Sequence, residues 1–191
     1  YVVLNPGSNE YGRRWPLEDY VFLSKWLVKN GFRVVFVGKA NEKSITDLIL
    51  EVAKDQNIID MTGKTDLPEL MDILNSATLV VTNDTGPMHL AIGLGTPTVA
   101  IIGGGHFGSF VPYPKQATPN SVRFVNQNMD CYHCFWRCPK REDRKESFPC
   151  VAAVTQACDQ QRLTAKAAVD VVDSRLSSVI ATELSSLSAS V

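Results

Sequence analysis

This 191-residue chain lacks the features that define several protein classes. No apolar run approaches membrane-spanning length and no secretory leader is present, so the sequence predicts neither a membrane span nor export. The formal net charge of −1 provides no basic field for nucleic acid and no polybasic membrane signal. The nicotinamide fingerprint G-x-G-x-x-G is also missing after the first strand, where Asn5–Pro6–Gly7–Ser8 stands instead. These absences argue against membrane insertion, nucleic-acid binding and hydride transfer.

What is present is the composition of an ordinary globular domain. Hydrophobic residues make up 45% of the chain and charged residues 20%, and the length suffices for one sizeable core. An apolar run of strand character begins at once with Tyr1–Leu4, and the first residue is not Met. We therefore expect a fragment cut at a domain boundary.

Short apolar runs alternate with segments of helical periodicity along the first two thirds of the chain. This alternation predicts an α/β fold with a doubly wound, Rossmann-like parallel sheet of about six strands. The predicted strands are Tyr1–Leu4, Arg33–Gly38, Ile58–Met61, Leu79–Val81, Thr98–Ile102 and Val122–Val125.

Capping and breaking signals mark the helices between these strands. Pro16 and Asn30–Gly31 bound the first helix. Asp66 caps the third, with Glu69 at the capping-box position. The second helix runs from Glu42 to about Lys54. Apolar residues at helical spacing define the faces expected to be buried. These are Ile45, Leu48, Ile49 and Val52 on the second helix, and Leu67, Leu70, Ile73 and Leu74 on the third.

We divide the chain into three parts. Residues 1–126 are expected to form the Rossmann-like core. Residues 127–160 form a cysteine-containing segment packed on the same domain, and residues 161–191 a C-terminal helix with a frayed end. Within the core, the glycine-rich run Gly103–Gly108 predicts a flexible loop.

The segment around the fourth strand carries the clearest functional pattern. An apolar strand turns polar at Asn83–Asp84–Thr85 and resumes as a short helix with Pro87 at its first position. Amides at the positive start of that helix would be free to hold a phosphate, namely those of Gly86, Met88 and His89. The alternative is that Asp84 and Thr85 only cap the helix and that His89 is an ordinary helix histidine.

Two sequence motifs of this chain together resemble those of glycosyltransferase family 9, the ADP-heptose:lipopolysaccharide heptosyltransferases. Asn83–Ala91 with Gly95–Thr96–Pro97 is similar to the donor-site motif of that family, and Pro6–Gly7–Ser8 with Arg13–Pro16 is similar to its phosphate-binding loop. The resemblance covers Tyr1 to about Val125 and implies the C-terminal, donor-binding half of a GT-B glycosyltransferase. It implies ten donor-binding residues: Ser8, Arg13, Arg14, Glu42, Thr65, Asp84, Thr85, Gly86, Met88 and His89.

Two of these residues have a clear chemical logic beside a plain alternative. Arg13 stands where the family usually has lysine, and a guanidinium stabilises the charge that gathers on a diphosphate leaving group. Alternatively, Arg13 and Arg14 are a solvated pair on a loop. Glu42 follows the second strand, where carboxylates commonly accept hydrogen bonds from ribose hydroxyls, or it only favours a helix N-terminus. The resemblance places Thr65, with Leu67, near the nucleotide base.

The resemblance also implies partners and a location. The partners are a nucleoside diphosphate sugar such as ADP-heptose, an N-terminal acceptor domain that this chain lacks, and a saccharide or lipid-linked acceptor of lipopolysaccharide type. No cofactor and no metal are expected for transfer. No catalytic base is assigned, because the family's aspartate belongs to the N-terminal half, and we expect the isolated chain to be inactive. The expected location is cytoplasmic, peripheral to the inner membrane through the acceptor.

Two other functions stay open on the sequence. One is a non-catalytic module that binds nucleotide sugars or carbohydrates. The other is a nucleotide-sugar epimerase of the same GT-B architecture, which would change the donor sugar without an acceptor.

The cysteines cluster late in the chain. Cys131 and Cys134 stand in C-x-x-C spacing, but the second C-x-x-C of a zinc ribbon is missing. We interpret the segment as a structural group of thiols or local disulfides unrelated to catalysis, with a redox pair or a structural metal site as alternatives. That metal site would use Cys131, Cys134, Cys138 and Cys150, and Cys158 follows them.

Overall fold

Six parallel strands in the order β3-β2-β1-β4-β5-β6 form the centre of the computed structural model, which describes residues 1–156. The strands are β1 Val2–Asn5, β2 Val34–Phe36, β3 Ile58–Asp60, β4 Leu79–Asn83, β5 Thr98–Ile101 and β6 Val122–Val125. The predicted doubly wound parallel sheet is confirmed. Cys158 and the predicted helix over residues 161–191 lie outside the described residues.

Helices cover both faces of this sheet. They are α1 Leu17–Lys29, α2 Lys43–Ala53, α3 Leu67–Asn75, α4 Gly86–Gly93 and α5 Pro149–Gln156. Successive strand side chains point to opposite faces, so Val2 and Leu4 pack with α1, α2 and α5 on one face. Val3 and Val80 pack with α3 and α4 on the other. Burial on both faces explains why the strands are apolar throughout. Within residues 1–156, every helix is too short or too polar to cross a membrane.

The helix signals locate the elements well but not every buried face. The predicted capping box is confirmed, because Glu69 N donates to Asp66 Oδ1 and Asp66 N donates to Glu69 Oε2, both at 2.9 Å. The expected burial of three side chains is wrong: Leu48, Val52 and Leu67 are more than half exposed. Helix α2 is rotated toward Thr46, whose hydroxyl hydrogen-bonds that of Thr62 at 2.9 Å, so Leu48 and Val52 turn outward.

The first three glycines of the run after β5 pack closely against aromatic side chains and do not form an open, flexible loop. Gly103, Gly104 and Gly105 are buried. A Cβ on Gly104 would lie 2.1 Å from the Tyr132 ring, and one on Gly105 2.3 Å from the Trp136 ring. The prediction of flexibility was wrong because glycine also permits close approach of other groups to the backbone.

Candidate functional site

A cavity of about 740 Å³ opens at the carboxyl edge of the sheet. The loops that follow β1, β2, β3 and β4 line it. Strands β1 and β4 are neighbours in the middle of the sheet, and the winding direction reverses between them. Open α/β sheets bind ligands at this switch point, and the volume lies within the range of small-molecule sites.

Eight of the ten predicted donor-binding residues line this cavity. They are Ser8, Arg13, Glu42, Thr65, Asp84, Thr85, Gly86 and His89. Met88 is fully buried in the core between α4 and the strands beside it. The Arg14 guanidinium lies 4.9 Å from the centroid of the Tyr11 ring and donates to the Ser8 carbonyl at 3.0 and 2.8 Å. Neither Arg14 nor Met88 therefore lines the cavity, and both side chains pack behind its wall.

Asn83 joins the two central strands beneath the cavity and was not among the predicted site residues. Its Oδ1 accepts from Trp15 N at 3.1 Å and from the Tyr20 hydroxyl at 3.2 Å. Its Nδ2 donates to the Pro6 carbonyl at 2.9 Å and the Gly7 carbonyl at 3.3 Å. The side chain is fully buried, so these bonds fix the loop after β1 against the end of β4. Burial also raises the pKa of Tyr20, with the Asp19 charge adding to the effect.

Asn5 plays the matching part at the end of β1. Its Nδ2 donates to the Val37 carbonyl at 3.0 Å, which ties β1 to the loop after β2. Its Oδ1 accepts from the hydroxyls of Thr85 at 3.1 Å and Thr82 at 3.3 Å. The only sequence signal for either residue is an asparagine that closes a buried apolar strand.

Arg13 and Asp84 meet at the wall of the cavity. Arg13 Nη2 donates to the Asp84 carboxylate at 2.6 Å and to its backbone carbonyl at 2.7 Å. The two side chains are 27% and 14% exposed, so the pair is partly shielded from water. Arg13 Nε is buried and has no hydrogen-bond partner within residues 1–156. One edge of the guanidinium is therefore held by Asp84 while a donor remains unused.

Glu42 occupies space that two glycines leave open. A Cβ on Gly7 would lie 2.2 Å from the Glu42 carboxylate, and one on Gly38 would lie 3.0 Å from it. Glu42 Oε2 accepts from Lys39 N at 2.8 Å, in the single helical turn Ala40–Glu42. The carboxylate thus serves the start of a helical turn and also faces the cavity.

The start of α4 differs from the prediction in the position of Pro87, the capping by Thr85 and the amide of Met88. The helix begins at Gly86, so Pro87 is its second residue rather than its first, and Thr85 at the N-cap makes no side-chain capping bond. The amide of Met88 is not free, because it donates to the Thr85 carbonyl at 3.1 Å. His89 Nδ1 pairs with the Tyr113 hydroxyl. Burial raises the pKa of Tyr113, and the Asp84 charge adds to this effect.

The strand order β3-β2-β1-β4 places opposite chemical characters at the two ends of the cavity. The charged end, formed by the loops after β1 and β4, carries Arg13, Asp84 and Ser8, and the buried Ser8 hydroxyl has no partner among the described residues. At the other end, after β3, Leu67 and Leu70 of α3 line the wall with Thr65. Leu67 is 58% exposed, which leaves an apolar side chain facing open space. Such a layout suits a ligand with one charged end and one flat apolar end.

The cysteines lie outside this cavity. Cys131, Cys134, Cys138 and Cys150 are all free thiols. Burial raises the pKa of Cys150, the Gly104 amide opposes that rise, and the charges of the other three thiols reinforce it. Within residues 1–156, no group of three or more His, Cys, Asp or Glu side chains is arranged to hold a metal ion.

Comparison with known proteins assigns this architecture. The family model described as glycosyltransferase family 9 (heptosyltransferase) matches residues 1–140. The chain belongs to glycosyltransferase family 9. The family expected from the sequence motifs is thus confirmed.

Relatives within family 9 are heptosyltransferases. Lipooligosaccharide heptosyltransferase 2 of Haemophilus influenzae is 33% identical over 103 residues, which cover 51% of this chain and 30% of the relative. Lipopolysaccharide heptosyltransferase 2 of Escherichia coli is also 33% identical over 103 residues, with 51% and 29% coverage. The chain therefore spans less than a third of the length of these curated relatives in the matched region.

Solved family 9 structures share the fold. The glycosyltransferase of Veillonella parvula aligns with a TM-score of 0.64 and 26% identity, over 90% of this chain and 45% of that one. Escherichia coli ADP-heptose LPS heptosyltransferase II aligns with a TM-score of 0.72 and 20% identity, over 91% and 46%. The iron-containing heptosyltransferase TibC, in complex with ADP-D-beta-D-heptose, aligns at 0.63 and 19%, over 91% and 45%.

Proposed function

We propose that this chain binds the nucleotide-sugar donor, an ADP-heptose or a similar sugar nucleotide, for transfer to an acceptor of lipopolysaccharide type. The observation that carries the proposal is the convergence of eight motif residues on one cavity at the switch point of the sheet. Heptosyltransferase relatives, and a solved relative in complex with ADP-D-beta-D-heptose, support this choice of ligand.

The charged end of the cavity suits the diphosphate. Arg13 brings a guanidinium to the cavity wall, and the N-terminus of α4 at Gly86 adds a positive dipole end. The Ser8 hydroxyl is a further unpaired group in the same wall. During transfer, negative charge accumulates on the departing diphosphate, and these fixed donors stabilise it.

The opposite end suits the nucleoside. Leu67 and Leu70 present apolar surface for the flat face of a base. Glu42 lies between the two ends, and its carboxylate can accept hydrogen bonds from ribose hydroxyls. Asp84 remains for the hydroxyls of the donor sugar, on the far side of the diphosphate.

We further propose that the acceptor and the catalytic base belong to a separate domain, corresponding to the part of the relatives that this chain does not match. The reaction would then take place in the cytoplasm, at the face of the inner membrane that carries the acceptor. The isolated 191-residue chain should bind donor weakly and transfer no sugar, because half of a cleft cannot orient both substrates. Transfer by this chain alone would contradict the two-domain proposal.

Titration of the chain with ADP by calorimetry tests the donor site. Arg13→Ala should weaken ADP binding by about 1.5–3 kcal/mol, the range for a hydrogen bond to a charged group. The matched control is Arg33→Ala, which removes an exposed arginine at the opposite edge of the sheet and should leave the affinity unchanged. An ADP affinity that is equal in wild type and Arg13→Ala would return Arg13 to the role of a structural loop residue.

Incubation of the chain with ADP-heptose in the absence of acceptor separates the proposal from the epimerase alternative. We expect the sugar to be recovered unchanged. Recovery of epimerised sugar would favour the epimerase.

A further inference from the structure

Trp136 brings the cysteine segment into contact with the charged end of the cavity. The Arg13 guanidinium carbon lies 4.9 Å from the centroid of the Trp136 ring, within the distance of a cation–π contact. Asp84 holds the same guanidinium through Nη2. Arg13 is therefore fixed by two groups that are distant in sequence, a carboxylate from the β4–α4 loop and an indole from the cysteine segment.

The indole itself is held from several directions. A Cβ on Gly105 would lie 2.3 Å from the Trp136 ring. A Cβ on Gly103 would lie 2.9 Å from Val151 and 3.1 Å from the Trp136 ring. Phe148 stacks on Trp136 with ring centroids 5.2 Å apart and an interplanar angle of 28°. The His106 ring packs edge-to-face with the Trp136 ring, with ring centroids 5.9 Å apart and an interplanar angle of 70°. The glycine run thus makes room for a ring whose orientation the neighbouring aromatics then determine.

The backbone that carries Trp136 adopts an unfavourable conformation. The φ angles of His133, Phe135 and Trp136 are 67°, 51° and 62°. They lie in the left-handed region that residues other than glycine rarely adopt. Backbone hydrogen bonds hold this loop on the glycine run, from His133 N to the Gly104 carbonyl at 2.8 Å and from Phe135 N to the Gly105 carbonyl at 3.0 Å. Strain of this kind persists where the surroundings fix it, and it clusters at ligand sites.

From these contacts we infer that Trp136 is a positioning residue for donor binding, which orients the Arg13 guanidinium toward the diphosphate. The inference rests on the proposed function, because it takes Arg13 as a diphosphate ligand. It also gives the cysteine segment a role in the donor site, since the loop Cys131–Cys138 delivers the indole. A cation–π contact with the indole uses none of the guanidinium N–H donors, so the contact does not compete with phosphate oxygens for them.

A purely structural role for Trp136 makes a different prediction. A core residue would affect the stability of the chain and would affect all cavity ligands alike. A positioning residue for Arg13 affects the ligand that carries phosphates and spares the one that does not. Comparison of ADP with adenosine therefore separates the two roles.

The test is calorimetric titration of the 191-residue chain with ADP and with adenosine. Trp136→Leu should raise the Kd for ADP by about three- to tenfold, as expected for loss of a cation–π contact, and leave the Kd for adenosine within about twofold. Trp136→Phe keeps an aromatic face and should restore ADP binding to within about twofold of wild type. Trp26→Leu, on α1, is the control and should change neither Kd. In the Arg13→Met background, Trp136→Leu should have no further effect.

Equal weakening of ADP and adenosine by Trp136→Leu, or no change in either, would overturn the inference while leaving the proposed function intact. A wild-type chain that binds no ADP would overturn both. Should Trp136→Leu fail to fold, 5-fluorotryptophan at the three tryptophans gives a second readout by ¹⁹F NMR. ADP should shift the Trp136 resonance in wild type and not in Arg13→Met, and a resonance that ADP does not move would contradict the positioning role.

Discussion

The cavity and the cysteine segment achieve local order in different ways. Around the cavity, the motif residues lie at the ends of strands and the start of a helix, and buried asparagines tie those ends together. The segment from Asn126 to Phe148 contains no helix or strand. Its order comes from aromatic rings packed on glycines and from left-handed residues.

The difference shows where motifs can and cannot reveal structure. Regular elements place residues that are distant in sequence at predictable positions, so a short motif at a strand end identifies a site. An irregular segment depends on individual side-chain contacts, and its sequence pattern alone left several structures open. The predictions below change one region at a time and compare the consequences in the other.

The largest effect is expected from Asn83→Ala. Loss of this buried side chain leaves Trp15 N and two loop carbonyls without partners and leaves the Tyr20 hydroxyl with only the Asn5 carbonyl as acceptor. The free energy of unfolding should therefore fall by about 2–4 kcal/mol. Urea denaturation measures it. Asn41→Ala, at an exposed position, is the control and should stay within about 0.5 kcal/mol of wild type.

Asn83→Asp refines this test. Aspartate keeps the Oδ1 acceptor for Trp15 and Tyr20 but cannot donate to the carbonyls of Pro6 and Gly7 when ionised. The charged oxygen would then face two carbonyl oxygens in a buried site, so a loss of stability at least as large as that of Asn83→Ala is expected. A loss below about 1 kcal/mol for Asn83→Ala would mean that water replaces these bonds readily and that the asparagines are not what orders the cavity.

The fold and most of the cavity could be predicted because they depend on local rules. Strand periodicity, the capping box at Asp66 and the order of the motifs along the chain fix the sheet, and the sheet brings the motifs together. Asn83 stood inside a recognised motif, yet its role was missed. Its partners Trp15 and Tyr20 are more than sixty residues away, and no local pattern encodes such a pairing.

Two other errors have the same origin. Leu48 and Val52 have helical spacing, but the side of α2 that packs on the sheet carries Ile45, Thr46, Ile49 and Ala53, and Thr46 there contacts Thr62 in another loop. The glycine run could indicate either flexibility or close packing, and only the positions of Tyr132 and Trp136 decide between them. The division of the chain into three parts stays a prediction.

A smaller effect is expected from Gly104→Ala, in the glycine run on which the cysteine segment packs. The new Cβ would lie 2.1 Å from the rigid Tyr132 ring, and overpacking of this kind should cost about 1–3 kcal/mol of unfolding free energy. Gly93→Ala is the matched control, because nothing lies within 4 Å of its Cβ position in α4. That variant should be neutral or slightly stabilising. Thermal or urea denaturation measures both.

Gly7→Ala is the counterpart of Gly104→Ala at the cavity. The new Cβ would clash with the Glu42 carboxylate, which is the movable end of a side chain. We therefore expect Gly7→Ala to lower the stability less than Gly104→Ala does. Because the displaced carboxylate faces the cavity, we expect the substitution to lower the affinity for ADP more. The reverse ranking in either measurement would remove the contrast between the two regions.

The smallest effect on nucleotide binding is expected from Asp84→Asn. The Asp84 carboxylate neutralises Arg13 and would repel a diphosphate placed against it, whereas the backbone carbonyl of residue 84 still accepts from Arg13 after the substitution. The Kd for ADP should therefore stay within about threefold of wild type or fall slightly. ADP-heptose should bind about tenfold more weakly, since the sugar hydroxyls lose a charged acceptor. Side-by-side calorimetry with the two ligands measures this, with Asp72→Asn on the exposed face of α3 as the control. A large loss for ADP itself would show that Asp84 holds Arg13 or the α4 loop in place, and its assignment to the donor sugar would have to be withdrawn.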